Sequence, residues 1–382
     1  MTYPLIIIGA GIIGSALAEA CAHRGLHPTV LEAGIPSGGT TAAGMGHLVV
    51  LDDKPAEMAL SRDGLQRWRA RRGSLPTEVE YRECGTLWLA RDGAELEEAE
   101  RKALRYQAEG LPCRLLNARE LAATEPNLTT TLAGALQVPG EAVIYPPVAG
   151  RYLLDHAITL GATLLPGTRA VSVEESGAVW LDDGRCLLAE RIVIAAGCAS
   201  TALLPGLPLA PRKGQLLITD RYPAYVRHQL VELGYLHSAH SSDADSVAFN
   251  VQPRATGQLL IGSSRQYHDT SSQIDWALLQ RMLQRAFDYL PGLHALQGLR
   301  AWCGFRPATP DKLPLLGRAP GHERVWLATG HEGLGITTAL ASAELLASLL
   351  ADERPTLDPT PFDPARFAAR STVPAPVKAE AS

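Results

Sequence analysis

The sequence predicts an α/β protein built around a doubly wound, dinucleotide-binding domain, and three observations carry that prediction. An apolar strand runs into a glycine turn and a helix at the start of the chain. A second strand ends in an acidic residue at a set distance from that turn, and another glycine turn opens a long Ala/Leu helix near the end. Bulk composition agrees: 382 residues, 46% hydrophobic, with a formal net charge of −5, suffice for a large core or two interleaved domains and are too apolar for disorder. No stretch approaches the ~18 to 20 apolar residues of a membrane span. Residues 1–20 lack a basic start and a cleavage site, so a cytoplasmic location is expected, with any membrane association peripheral and through partners. The six cysteines form no CxxC pair, so no metal or iron–sulfur cluster is expected within this chain. Mild acidity without a basic, aromatic-interleaved run argues against nucleic-acid binding. Residues 371–382, "STVPAPVKAEAS", read as a disordered tail.

Taking the elements in order, residues 5–8 form a fully apolar strand, and Gly9, Gly11 and Gly14 then fit GxGxxG as a helix begins at Ile12 and runs to about residue 24. Glycines let the backbone turn and approach a pyrophosphate, whose charge is favoured by the free N–H groups of the helix start. "PTVLEAG" supplies the second strand, with Glu32 near the ~20-residue offset at which a carboxylate accepts hydrogen bonds from an adenosine ribose, and Ala33 beside it. The bland alternative is a tight βαβ turn with no ligand.

Residues 35–50, "IPSGGTTAAGMGHLVV", follow where a nicotinamide domain would place its next crossover helix. A loop of small residues favours a flavin: Gly44, Met45 and Gly46 allow close approach to the ring, and Ser37, Thr40 and Thr41 offer hydroxyls to phosphate or ribityl groups. The alternative is a flexible glycine loop. "TRAVSVEESGAVWLDDGRCLL" reads as a hairpin with turns at 175–177 and 182–184, and Val171 in it is taken as a cofactor contact. "AERIVIAAGCAS" is a buried strand whose end, Ala196 and Gly197, closes over the adenosine.

Near the end, Gly330, His331, Gly333, Leu334 and Gly335 turn the chain into a helix over 336–350, starting at Ile336 and Thr337. Its N–H groups would lie at the flavin N1/O2 edge, where negative charge develops on reduction. The alternative is a glycine-rich helix start with solvated His331 and Glu332. On the first reading, the two ends of the chain build one cofactor site.

Together "IIIGAGIIG", "TTAAGMGH", "ECGTLWL", "IAAGCAS", "PRKGQLL", "GQLLIGSSRQ", "WCGFRPATPDKLPLLG" and "LATGHEGLGITTA" resemble the FAD-dependent D-amino-acid oxidase superfamily, in its glycine oxidase and sarcosine oxidase branch. Within it the chain looks most like the flavin subunits of D-hydroxyproline dehydrogenases and hydrogen cyanide synthase. The resemblance implies a discontinuous FAD-binding domain, 1–80, 143–212 and 302–370, and an α+β substrate domain with an antiparallel sheet, 81–142 and 213–301. It implies noncovalent FAD touching Gly304, with Cys303 not serving as a covalent flavin attachment.

The resemblance also places Arg306 where the family grips the substrate carboxylate, for which a planar guanidinium suits a bidentate bond. Arg254 and Arg300 are weaker carboxylate candidates, and Arg212 or Lys213 would brace domain packing. Relatives carry a tyrosine ligand in the strand where "FNVQPRATG" offers Asn250. His47 would bond a substrate hydroxyl or influence amine deprotonation, or merely support its neighbours. Met45 would pack on the ring or substrate, and Tyr235, Tyr267 and His240 are minor pocket candidates. The implied reaction is FAD-dependent dehydrogenation of a small D- or cyclic secondary amino acid, D-hydroxyproline or D-proline to the cyclic imine. The alternatives are a glycine- or sarcosine-type oxidase, a cyanide-forming glycine dehydrogenase subunit, or an electron-entry subunit inactive alone. In that last case small partners carrying iron–sulfur clusters or a second flavin would take the electrons.

Overall fold

The computed structural model describes residues 2–234 and 245–370. The expected tail 371–382 and the pocket candidates Tyr235 and His240 lie outside the described residues.

The first sheet is the doubly wound one. Its parallel strands lie in the order Val325–Thr329, Cys186–Ile194, Thr2–Ile8, Pro28–Glu32 and Thr163–Pro166, and Leu315–Arg318 closes one edge antiparallel. The run "LIII" is apolar throughout because both faces of its strand are covered. Leu5 and Ile7 pack into the helical layer, whereas Ile6 and Ile8 pack with Val179, Leu181 and Leu203 on the other side. Val179 and Leu181 belong to the expected hairpin, formed by Ala170–Val173 and Ala178–Leu181. Each fully buried side chain of this kind is worth about 1.5–3 kcal/mol relative to exposure.

The helical layer contains Ile12–His23, Pro55–Arg71, Pro146–Thr159 and Gly335–Leu350. The last is apolar nearly all round because it is buried nearly all round. Small residues set the spacing: a Cβ on Gly64 would lie 2.2 Å from the Thr337 carbonyl oxygen, so glycine lets Pro55–Arg71 cross Gly335–Leu350 closely. Trp68 donates its indole N–H to Ile336 O at the same crossing, 2.9 Å.

The second sheet has the order Gly298–Ala308, Ala210–Arg221, Gln258–Arg265, Ser246–Pro253, Gln229–Glu232, Thr86–Ala90, Gly134–Val138 and Arg114–Asn117. It is antiparallel except where Gln229–Glu232 runs parallel to Thr86–Ala90. Helix Trp276–Tyr289, started by Asp275 accepting from Leu278 N, covers one face with Leu279, Met282, Ala286 and Tyr289. The long strands Ala210–Arg221 and Gly298–Ala308 run through the expected boundaries at 212 and 301, so both boundaries fall inside elements of this sheet. The expected loop 35–50 is also partly ordered, into a short helix Thr40–Ala43 and a strand His47–Leu48 paired with Ala142–Val143. Among the described residues no helix is long and apolar enough to cross a membrane.

Candidate active site

Between the two sheets lies a cavity of about 620 Å³, within the usual size of cofactor and ligand sites. Both ends of the chain line it. At the amino-terminal end, Gly9 has φ +107°, and a Cβ there would sit 2.7 Å from the Ala195 carbonyl oxygen. Gly11 and Ile12 face the cavity, and Ile12 N donates to Thr41 Oγ1, 3.0 Å, so a residue 29 positions on caps this helix. The Glu32 carboxylate on the wall accepts from Ala10 N, 2.8 Å, and Gly34 N, 2.7 Å. Ala33, Val171, Ala196 and Gly197 line the same end.

The loop residues Ser37, Thr40, Gly44 and Met45 continue the wall. Thr40 donates to Phe305 O, 2.7 Å, and the Gln252 amide donates to Met45 O, tying the loop to the second sheet from two strands. Gly304 approaches this loop so closely that a Cβ would lie 2.3 Å from that of Ala43. Gly333, Leu334, Gly335 and Ile336 complete the wall with the start of helix Gly335–Leu350, which has no side-chain cap.

These features fit an FAD. Two helix starts present N–H groups that lack intrahelical partners. Ser37 Oγ is buried without a hydrogen-bond partner, and open space surrounds the Cβ positions of Gly39 and Gly333. The cradle suits a phosphate-bridged cofactor.

Four expected cofactor contacts stand behind the wall. A Cβ on Gly14 would lie 1.9 Å from Gly9 O, and one on Gly46 2.0 Å from Ile144 O, so these glycines allow close backbone packing. Gly330, φ +82°, packs against Thr309. Thr337 is buried, accepts from Val49 N, 3.2 Å, and donates to His47 O, 3.1 Å. Spacing alone does not separate a residue that touches a ligand from one that lets two backbones meet.

His331 is also not the charged, solvated residue of the alternative reading. It is buried on the cavity wall, its Nε2 is 3.1 Å from Ser342 Oγ, and burial pushes its pKa down to about 3, so it is neutral. Glu332 is charged but not solvated: it pairs with Arg212, with Arg265 4.0 Å away. Burial opposes its charge, yet Arg265, Arg212, Arg306 and Lys312 hold its pKa below the ordinary carboxylate range.

The substrate-facing wall belongs to the second sheet. Arg306 lies on it, and its Nη1 donates to Ser264 O, 3.2 Å. Its guanidinium crosses the neighbouring strand over Gly214, where a Cβ would come within 2.5 Å of Nη2. Asn250 lines the cavity with its Oδ1 unpartnered. His47 Nε2 is 3.2 Å from Gly333 O, and its Nδ1 is buried without a partner. Burial drives its pKa down to about 4, aided by Arg306 and opposed by the bond to Gly333, so the imidazole is neutral. Since Gly333 O only accepts, Nε2 carries the proton and Nδ1 the lone pair.

The weaker candidates fall elsewhere. Arg254 pairs with Glu80, 2.8 Å, and stacks over Tyr145 at 4.4 Å, while Arg300 lies over Trp302 at 5.6 Å. Lys213 bonds Asp269 and Gln273 O, and Tyr267 lies under Arg212 at 4.6 Å. Cys303 sits between Trp302 and Gly304 on a strand whose alternation sends Gly304 and Arg306 to the cavity, so its thiol faces away and meets Ser272 O at 3.2 Å. Sequence reading missed Trp88, Gln229, Ser263, Arg265 and Glu57 on the wall. They come from three strands and a helix, and pairing register rather than any one motif brings them together. Glu57 is the most perturbed of them: burial first, then Asp53 and Glu332, raise its pKa to about 8.

A doubly wound sheet with a dinucleotide cradle, facing a sheet that presents an arginine to the same cavity, defines a cofactor-dependent redox enzyme. Residues 4–349 match the DAO family, FAD dependent oxidoreductase, and the chain belongs to it. Glycine oxidase of Pseudomonas aeruginosa is 27% identical over 96% of this chain and 99% of its own. Hydrogen cyanide synthase subunit HcnC of the same organism is 25% identical over 96% of each. The crystal structure of glycine oxidase from Geobacillus kaustophilus superposes with a TM-score of 0.86 at 24% identity, covering 96% of this chain and 99% of that one.

Proposed function

We propose that this enzyme oxidises a small D- or cyclic secondary amino acid at its Cα–N bond, with D-hydroxyproline or D-proline the best candidates and the cyclic imine as product. The observation that carries the reading is Arg306, a guanidinium held across Gly214 on the wall facing the cofactor cradle. Noncovalently bound FAD supplies the hydride acceptor. Arg306 fixes the substrate carboxylate and so fixes which Cα–H is presented. Neutral His47 offers its Nδ1 lone pair to an N–H of the substrate amine or to a substrate hydroxyl. Glu332 pairs with Arg212, with Arg265 4.0 Å away and Arg306 adding to the positive field around it, so the wall that meets a substrate carboxylate is net cationic.

A glycine-type oxidase or cyanide-forming glycine dehydrogenase subunit is the second reading, favoured by the names of the relatives. The subunit name of one of them also favours an electron-entry role, with electrons passing to a small iron–sulfur or flavin partner. An anaerobic titration separates these: purified yellow protein receives cis-4-hydroxy-D-proline, D-proline, glycine or sarcosine, and air is then admitted. Bleaching near ~450 nm by the cyclic substrates with slow recovery in air supports the dehydrogenase, since the cofactor performs the redox step. Bleaching by glycine with fast recovery selects the oxidase, and no bleaching by any of them overturns the amino-acid reading. Yellow colour retained in an acid-precipitated pellet would overturn noncovalent attachment.

A further inference from the structure

We infer that Glu57 takes the proton of the substrate ammonium, through water in the cavity, and so readies the amine for hydride loss. The inference rests on the amino-acid reading above and deepens it, because an ammonium must lose a proton before its Cα–H can leave as hydride. Glu57 lies in the first turn of helix Pro55–Arg71, is 8% exposed and lines the cavity. Its Oε2 is buried without a hydrogen-bond partner. Such an oxygen carries a desolvation cost that no contact within the fold offsets.

Glu57 also lines a second, much smaller cavity of about 10 Å³, together with Lys312, His331 and Thr338. That is the space of one water. His331 is followed by Glu332 and Gly333, and Gly333 O meets His47 Nε2 at 3.2 Å. The backbone from His331 to Gly333 spans at most about 7 Å, so a few waters complete the path from an amine beside His47 to the Glu57 carboxyl. Asp53 and Lys312 on the same wall are only half-buried, which opens the path to solvent.

The neighbours set the basicity. Burial first, then Asp53 and Glu332, raise the Glu57 pKa to about 8, while Lys312 and Lys54 pull it the other way. His331 beside it is neutral. An ordinary carboxylate holds a proton too weakly to compete with an ammonium, and so does His47, driven down to about 4. A base that titrates near the working pH is the effective one. In the step itself, the ammonium N–H bond breaks, the proton passes along water to form O–H on ionised Glu57, and the electron pair stays on nitrogen. The Cα–H bond then gives up its two electrons as hydride to FAD, leaving the protonated imine, and Glu57 returns its proton to solvent.

The test follows the anaerobic rate of flavin bleaching in the holoenzyme against pH, with whichever of cis-4-hydroxy-D-proline, D-proline, glycine and sarcosine bleaches it. In the wild type the rate should rise through an inflection near pH 8. Glu57→Gln should lower the plateau rate by about 100-fold and abolish that inflection, leaving only the titration of the substrate's own ammonium, whereas Glu57→Asp should keep an inflection. Independently of turnover, the infrared band of protonated carboxyl groups in the substrate-free holoenzyme should lose, between about pH 7 and 9, a component that Glu57→Gln lacks. A structural role would lower the rate equally at every pH and leave the inflection in place, which overturns the inference. So does an infrared component that Glu57→Gln retains. Bleaching with an unchanged profile in Glu57→Gln sinks the proton role alone, whereas failure of all four amino acids to bleach the flavin overturns the amino-acid reading and this inference with it.

Discussion

Arg306 and Gly214 show what a single residue decides here. Arg306→Ala should raise KM steeply and lower kcat/KM by roughly 2 to 5 kcal/mol, as for loss of one member of a desolvated charge pair, and an unchanged KM would remove the clamp. Gly214→Ala tests the same clamp from behind. Its new Cβ would fall 2.5 Å from Arg306 Nη2 and displace the guanidinium, so kcat/KM should drop by about 100-fold with FAD content retained. The two histidines make a pH prediction. Folded His47 and His331 have pKa values pushed down to about 4 and about 3 by burial, whereas in the unfolded chain both titrate near ~6.5. Their contribution is therefore full above pH ~6.5 and is lost as pH falls through about 4, because only the unfolded state takes up protons there. Tm should fall from pH 7 to pH 5, and His331→Asn should shrink that fall; an unchanged slope would contradict a neutral, buried His331. Arg306 was legible because "GFRPATPDKLPLLG" surrounds it, whereas Gly214 sits in a quoted motif whose role appears only when its strand neighbours are known.

Among the elements, the glycine turn and the carboxy-terminal helix were legible as elements but not as packed parts. GxGxxG and Ala/Leu periodicity gave both helices, yet Gly14 turned out to serve helix-on-turn packing and Thr41 to cap the first helix across 29 residues. Helix capping across such a distance leaves no local signal. Gly64 belongs to the same class: it lies mid-helix, where glycine is unfavourable, and only the crossing with Gly335–Leu350 explains it. Gly64→Leu should separate the two helices, cost about 1–3 kcal/mol and loosen the start of Gly335–Leu350 at the cavity. Thermal unfolding with and without added FAD measures both effects, and a variant as stable as wild type in both would show that this crossing is not tight.

At the scale of the whole molecule, the segment Gly330–Gly335 is tied to the second sheet by Glu332 N donating to Pro307 O, 3.0 Å, and by the Arg212–Glu332 pair, whose side chains are each 11% exposed. Glu332→Leu leaves Arg212 buried beside Arg265 without its partner, and breaking such a pair costs about 3–5 kcal/mol. The double variant Arg212→Met with Glu332→Leu should be less destabilised than Glu332→Leu alone. Equal losses would mean that the pair is screened by solvent and contributes little.

The sequence by itself determined the doubly wound domain, its cofactor class and the use of both chain ends in one cradle, and its resemblance to a known family singled out Arg306. The first three are written in contiguous residues: a period, a glycine spacing, an acid at a fixed offset. Only the tertiary structure decided that His47 and His331 are neutral, that Glu332 is an ion-pair partner rather than a solvated charge, and that Asn250 shares a wall with Gln229 and Trp88. The physical reason is that charge state and hydrogen-bond satisfaction depend on burial and on neighbours brought from distant strands, and strand register is set by packing over the whole sheet.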